Sequence, residues 1–434
     1  MKKKITAIIV GAGHRALLYS RYALQHPDEL EIVGVADPDP FRRSKAAEEF
    51  HIPAECCYES AEELAAQPKL ADAVINGTMD NQHVRTAVPL LKRGYDMLLE
   101  KPFATNEEEM WELYRVAKEA RRTVMICHVL RYAPFYASVK KIVNSGEIGD
   151  IINMYATEHV AYHHLSAAYL RGKWNNREKC GATMLLAKCC HDLDILVWMK
   201  SGIAPRRVAS FGSDFRFSPE KRPEGAGNRC MTDCPIEAQC DYSAKKLCID
   251  HPDRWDFYVW DSLAPMGEPS LEDKIHSLKT DNPYGLCAWN CGHKNVDHQS
   301  VLLSFADGST ANLNMVGGAA KAERNIHIVG TKGEIKGVFD DSYYDIRKID
   351  HASSRGWSEE HVDLGIGGDK SGMSGGHGGG DLRMVADFVH VLQGEKPSLS
   401  YTGIEDSVNG HLAVFLADRA RETGQVQEFP AQIS

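Results

Sequence analysis

The chain has 434 residues, more than one hydrophobic core ordinarily organises, and an apolar fraction of 43% that can fill two. Its 50 Lys and Arg against 60 Asp and Glu leave a net charge of −10, which argues against a surface that gains affinity from nucleic-acid phosphates or anionic lipid and favours a small-molecule partner. No apolar stretch approaches transmembrane length.

Met1-Lys2-Lys3-Lys4 precedes an apolar run, but residues 5–10 are too few for the core of a secretory signal and lead straight into Gly11 and Gly13, so a first strand is expected there. A reducing, cytoplasmic setting follows, in which the 12 cysteines need an explanation other than a disulfide scaffold. From residue 4 to 127, short apolar runs alternate with amphipathic stretches. Strands are expected at 5–10, 31–36, 73–76, 97–100 and 124–127, and helices at 16–25, 41–50, 84–92 and 108–120. This is the α/β pattern of a doubly wound parallel sheet, an N-terminal Rossmann-type domain over 1–127 whose ligand lies at the carboxyl ends of the strands.

Gly11-Ala12-Gly13-His14-Arg15-Ala16 fits G-x-G-x-x-G/A between a strand and a helix. The first glycine permits the tight turn, the second admits a pyrophosphate to the backbone, and Ala16 keeps helix and sheet close. Asp37 ends the next strand, where a carboxylate accepts hydrogen bonds from the adenine-ribose hydroxyls and repels a 2′-phosphate. NAD is therefore expected rather than NADP, although Arg42 and Arg43 stand where an arginine could hold the extra phosphate.

After residue 150 the rhythm changes. Strands at 151–159, 207–217, 300–305, 310–316, 326–330 and 334–338, with Asp307-Gly308 and Lys332-Gly333 turns between neighbours, predict a large, mostly antiparallel sheet. Helices at 184–199, 382–392 and 404–423 complete an α+β domain over 128–434. Residues 218–296 lack periodicity and read as a polar insertion. Within it Cys230, Cys234, Cys240 and Cys248 are candidate ligands of a structural metal, zinc first and an iron–sulfur cluster second. Cys287 and Cys291 follow, and disulfides or separately buried thiols are the plain alternative. Cys56, Cys57, Cys127, Cys189 and Cys190 lie in apolar contexts and are expected to be packing residues. A Gly-rich loop over 365–380 ends at Asp381, a candidate helix cap, and offers His377 to a substrate.

Thr78-Met79-Asp80-Asn81-Gln82-His83 and Glu100-Lys101-Pro102 each follow a strand of the first domain, at the edge where a nicotinamide would lie. With the glycine turn and His191-Asp192-Leu193-Asp194, they make the chain resemble the glucose-fructose oxidoreductase / inositol dehydrogenase (Gfo/Idh/MocA) family over nearly its whole length. The resemblance implies a cofactor site of Gly11, Gly13, His14, Arg15, Asp37, Thr78, Asn81, His83, Glu100 and Lys101, and a cis bond before Pro102. It also implies a catalytic Lys101, since an ammonium beside the nicotinamide can hydrogen-bond the reacting hydroxyl and help remove its proton. In the family a second-domain helix carries Asp-x-x-x-His. Here His191 is present but Ala187 stands four residues before it, which makes Lys188 a candidate replacement for the missing carboxylate.

Tyr162, His163, His164, Tyr169, Arg171 and Trp174 mix hydrogen-bond donors with aromatic surface, as carbohydrate pockets do. His128, Arg131 and Tyr132 fall at the domain crossover, with an interdomain salt bridge as the alternative role for Arg131. The expected activity is hydride transfer between a nicotinamide and the hydroxyl carbon of a sugar, polyol or cyclitol, in a homodimer or homotetramer. Two rivals stand beside it: a glycosidase that oxidises its sugar transiently with bound NAD, and a dinucleotide sensor without catalysis.

Overall fold

In a computed structural model that describes residues 3–251, 255–365 and 379–430, the chain is divided between two sheets. The first is built from β1 (Ile5–Val10), β2 (Leu30–Ala36), β3 (Cys57–Tyr58), β4 (Ala73–Asn76), β5 (Asp96–Leu99) and β6 (Val124–Ile126). All neighbours are parallel, in the order β3-β2-β1-β4-β5-β6. Its central strands are apolar along their length because helices cover both faces, and the order reverses between β1 and β4, which opens a crevice at their carboxyl ends.

The helices of this layer start and stop where capping chemistry dictates. After α1 (His14–Ser20), α2 (Pro40–Phe50) begins at Asp39, whose carboxylate accepts from the Phe41 and Arg42 amides, and ends in left-handed His51. Next come α3 (His83–Lys92) and α4 (Glu107–Ala120). Asn106 caps α4, three glutamates favour its positive N-terminal end, and Met110, Leu113, Val116 and Ala117 bury one face at helical spacing. The helix expected at 16–25 is interrupted at Arg21, and β3 escapes a periodicity search because it has two residues.

The second sheet comprises β7 (Ile151–Ala161), β8 (Pro205–Ser213), β9 (His298–Phe305), β10 (Thr310–Ala319), β11 (Glu323–Gly330), β12 (Gly333–Val338), β13 (Tyr343–Ile349), β14 (Trp357–Asp363) and β15 (Gln427–Glu428). Its order is β14-β13-β12-β11-β7-β10-β9-β8-β15. The two expected turns join β9 to β10 and β11 to β12. However, β7 inserts between β10 and β11, so one pairing, β7 with β10, is parallel.

Against one face of this sheet lies α5 (Met184–Met199), capped by Thr183, with every residue but Lys188 buried. A helix apolar on all sides needs partners on all sides. The sheet is one; another is α7 (Ile404–Thr423), which approaches so closely at Gly410 that a Cβ there would stand 2.9 Å from Asp194 Cα. Between them in sequence, α6 (Gly380–Leu392) returns to the first sheet, where Met384, Val385, Phe388 and Val389 share a core with Ile5 and Tyr19. The 218–296 insertion folds as short helical turns around its own apolar cluster of Leu247, Cys248, Val259, Trp260, Leu278 and Tyr284. Among the described residues no helix is long and apolar enough to cross a membrane.

Candidate active site

The crevice between β1 and β4 is shaped for close backbone approach. Gly11 has φ +78°, and a Cβ there would meet the Thr78 amide nitrogen at 2.7 Å, so only glycine lets the β1 turn pass the β4 loop. Gly77, which no motif singled out, is similarly constrained by Ala16, 2.8 Å from its would-be Cβ. At Gly13 the nearest neighbour of a Cβ is a carbonyl 3.8 Å away, and no side chain caps the first turn of α1. That turn therefore keeps amides for the oxygens of a pyrophosphate. Asp37 is buried at the end of β2, its carboxylate accepting from Ala12 N at 2.6 Å and Asp39 N at 2.8 Å. Both nearby arginines are engaged: Arg42 Nη2 donates to Asp261 Oδ2 at 2.6 Å, and Arg43 Nη1 to the Asp37 main-chain oxygen at 2.5 Å. These residues fit a dinucleotide whose adenine ribose carries no 2′-phosphate.

Several residues expected at the cofactor serve the loops around it. Arg15 donates to Glu100 Oε1 at 3.2 Å, to the Tyr19 hydroxyl at 2.6 Å and to the Asp381 carboxylate. Burial would raise the Glu100 carboxyl, but Arg15 and Lys101 outweigh it and hold the group below the usual carboxylate range. His83 bridges two loops, Nδ1 lying 2.7 Å from Pro102 O and Nε2 3.0 Å from Thr78 O. Thr78 Oγ1 donates to Asn76 Oδ1 at 2.9 Å, and Asn81 Nδ2 to Lys179 O at 3.3 Å. The His14 ring stacks on Phe257 of the insertion, centroids 4.6 Å apart.

Lys101 follows β5 and precedes a cis Lys101–Pro102 bond. Its Nζ donates to the Ala187 main-chain oxygen of α5 at 2.9 Å. At Ala187, where the resemblance leads one to expect a carboxylate, the main-chain carbonyl receives the ammonium. One turn along α5, His191 is buried and packs edge to face with His128, centroids 5.6 Å apart. Lys188 Nζ lies 3.1 Å from Glu158 Oε1, and Arg324, the cross-strand neighbour of Glu158, pairs with Glu158 at 2.6 Å and with Asp192 at 2.8 Å. Lys188 thus belongs to a buried group of two cations and two carboxylates, in which burial pushes the Asp192 carboxyl up and Arg324 opposes it. Neither Glu158 nor Arg324 carried a local sequence signal, because their pairing depends on the register of β7 with β11.

Tyr162 and His164 follow β7 directly, and the His164 ring stacks on Trp255 at 4.1 Å. Burial first, then the Lys188 charge, holds His164 well below the ordinary histidine range, so it is neutral. Trp174 Nε1 donates to Asp80 Oδ2 at 2.8 Å, tying the second domain to the β4 loop. Arg131 takes the alternative role: its guanidinium grips Asp194 through two bonds of 2.7 and 2.6 Å, both groups fully buried. His128 stands 3.9 Å from the same carboxylate, yet burial lowers it to about 4. Arg171 is turned into the insertion rather than the cleft, donating to Leu286 O and Tyr242 O at 2.7 Å each. His377 lies outside the described residues.

The zinc expectation is corrected. Among the described residues no group of three or more His, Cys, Asp or Glu is gathered to hold a metal ion. The four expected ligands part company: Cys248 lines a cavity with Trp255 and Tyr284, while Cys230, Cys234 and Cys240 line a neighbouring one. What sequence reasoning missed in the insertion is its arm over the crevice, where Phe257 meets His14 and Asp261 meets Arg42.

Residues 5–128 match the Gfo/Idh/MocA model, an oxidoreductase family with an NAD-binding Rossmann fold. The chain is 24% identical over 371 residues to YteT of Bacillus subtilis, named an oxidoreductase, a match spanning 82% of each protein. It is 24% identical over 204 residues to the inositol 2-dehydrogenase of Corynebacterium glutamicum, covering 46% of this chain and 55% of that one. In fold it is similar to levoglucosan dehydrogenase, solved in complex with NADH, with a TM-score of 0.70 and 15% identity over 99% of this chain and 100% of the other.

Proposed function

With residues 5–128 belonging to the Gfo/Idh/MocA oxidoreductases, we propose that the protein is an NAD-dependent dehydrogenase acting on a hydroxyl-bearing carbon of a sugar, polyol or cyclitol. The observation that carries this reading is the 2.9 Å bond from Lys101 to Ala187 O, which puts the lysine of the Rossmann edge and the His191 helix on the same side of one cleft. NAD, when bound, supplies the hydride acceptor. The chain does the rest. The Gly11–Gly13 turn and Asp37 hold the dinucleotide, and Arg42 and Arg43 are each engaged elsewhere, with Asp261 and with the Asp37 main-chain oxygen. Lys101 Nζ holds the substrate oxygen and moves its proton, with His191 completing the relay from α5; positioned proton transfer of this kind is worth about 10²- to 10⁴-fold in rate.

Lys188 acts through Glu158, fixing α5 against β7, and Arg131 acts through Asp194 in the same way; both are positioning residues. Tyr162, His164 and Trp174 supply the aromatic and donor surface that a ring of hydroxyls requires. Inositol and levoglucosan, the compounds named for two similar proteins, are both ring polyols, which supports the substrate class. The reading includes a homodimer or homotetramer through the sheet face opposite α5, where Tyr155, Phe211, Leu302 and Val316 are exposed on one side.

The test is to incubate the purified protein and NAD with sugars, cyclitols and glycosides while following reduced nicotinamide and released aglycone together. Net reduction of NAD on a free polyol supports the dehydrogenase. Aglycone release without net reduction would establish the glycosidase, and NAD binding with no turnover on any compound would establish the sensor.

A further inference from the structure

One wall of the cleft comes from the insertion. Residues 255–261 cross the crevice and are tied to the first domain twice, Phe257 stacking on His14 at 4.6 Å and Asp261 pairing with Arg42 at 2.6 Å. From the second domain, Trp255 is held by a bond from its Nε1 to His163 Nδ1 at 2.9 Å and by the His164 ring, stacked on it at 4.1 Å. The Trp255 backbone is left-handed, with φ +65°, a conformation that a bulky residue keeps only where its surroundings hold it and that gathers at binding sites.

His164, Trp255, Tyr258, Trp174 and Tyr169 form a closed circuit of rings. Trp255 and Tyr258 lie parallel with centroids 6.1 Å apart, Tyr258 meets Trp174 edge to face at 5.6 Å, and Tyr169 links Trp174 back to His164 at 6.3 and 5.8 Å. Tyr169 is buried, whereas the other members of the circuit are half-buried. Tyr258 lies against the first domain. Trp174 beside it is bonded to Asp80, and the charges acting on its hydroxyl are those of Arg15, Glu100 and Asp80, with Glu100 next to Lys101 in the chain. Burial raises this phenol to about 12, so it is protonated and can donate. Among the described residues its hydroxyl has no hydrogen-bond partner.

Half-buried aromatic surface and an unpaired donor, held at the Glu100–Lys101 edge, answer two features of a sugar ring: the patch of C–H bonds on its face and the oxygens at its rim. An open-chain polyol has the oxygens but no flat C–H face. Resting on the dehydrogenase reading above, we propose that the insertion supplies the specificity-determining residues of this cleft: the Trp255 ring carries the C–H face of the substrate ring, and the Tyr258 hydroxyl donates to one of its oxygens. The substrate class narrows accordingly to cyclitols and sugars in ring form. Phe257 and Asp261 hold the arm in place through His14 and Arg42 and are positioning residues.

The test measures kcat and KM of the full chain with NAD on ring sugars, cyclitols and open-chain polyols, together with the dissociation constant of NAD. The unaltered chain is expected to favour ring compounds in kcat/KM. Trp255→Ala should raise KM on the ring substrate by about tenfold or more and abolish that preference, and Trp255→Phe should recover most of both. Tyr258→Phe should raise KM by about three- to tenfold, the worth of one hydrogen bond, with NAD affinity held within about twofold. If Trp255→Ala does not fold, Tyr258→Phe, which removes a single oxygen, carries the test alone. Unchanged KM in Tyr258→Phe or Trp255→Ala, preference of the unaltered chain for open-chain polyols, or weakening of NAD binding in Trp255→Ala as large as the rise in KM would each overturn the proposal and leave the dehydrogenase standing. No turnover of any compound by the unaltered chain would overturn both.

Discussion

At the glycine turn, a dinucleotide cradle is written within six consecutive residues, and the structure adds one partner, the β4 loop, that fixes why Gly11 must be glycine. In the 218–296 insertion, Cys230 and Cys287 come from distant points of the segment and line one cavity because a two-strand bridge that no local pattern announces joins their neighbours Arg229 and Leu286. The cleft shows the same contrast: Lys101 belongs to a legible motif, whereas the Lys188, Glu158, Arg324 and Asp192 group exists only because β7 and β11 pair in one register. Chemistry held by a turn is local and readable. Chemistry held by a sheet or a loop crossing depends on the assembled fold.

The sharpest way to press on this contrast is to remove one group from each kind of site. Lys101→Ala is expected to lower turnover by about 10²- to 10⁴-fold while NAD affinity stays nearly constant, as steady-state rates and a binding titration would show. Lys188→Ala should cost less, because its ammonium faces Glu158. Near-normal turnover in Lys101→Ala on the true substrate would break the mechanism even with the fold intact.

Next in size is the domain crossover. Asp194→Ala leaves the Arg131 guanidinium buried without its carboxylate and is expected to destabilise the protein by about 3 to 5 kcal/mol in urea unfolding. The same region carries a pH signature. Burial lowers His128 to about 4 and His411 to about 3, so between these values and the ordinary histidine pKa of about 6.5 the unfolded chain binds protons that the folded one does not. Stability therefore falls as the pH drops from about 6.5 towards 4, by at most about 1.4 kcal/mol per pH unit for each histidine. Unfolding curves across that window should be flatter by about one proton in His128→Gln.

The smallest expected effect concerns the adenine ribose. Asp37→Ala should narrow the preference for NAD over NADP, measured as the ratio of their dissociation constants, without abolishing either. Tighter binding of NADP by the unaltered protein would move the weight from Asp37 to Arg42 and Arg43.

How far the sequence could be read follows from these particulars. The five longer Rossmann strands, α5 and α7 stood out because their apolar patterns run for whole elements, and the glycine turn because each residue has a separate steric duty. β13 and β14 escaped because they are half-exposed and polar near the sheet edge, which blurs alternation. Cys248 follows Cys240 closely in sequence, but the fold sets it on a separate cavity and brings Cys287, from far along the chain, beside Cys230. Arg131 and Arg171 resembled ligand-binding arginines, and only the positions of Asp194 and the insertion carbonyls showed where their charges point.

If Lys101 and the α5 helix face a nicotinamide held by the Gly11–Gly13 turn, a structure of the protein with NAD bound will show it. The pyrophosphate is expected on the amides of that turn, and the nicotinamide ring beside Lys101 Nζ and His191. A pyrophosphate seated off the glycine turn, or a nicotinamide directed away from Lys101, would contradict it.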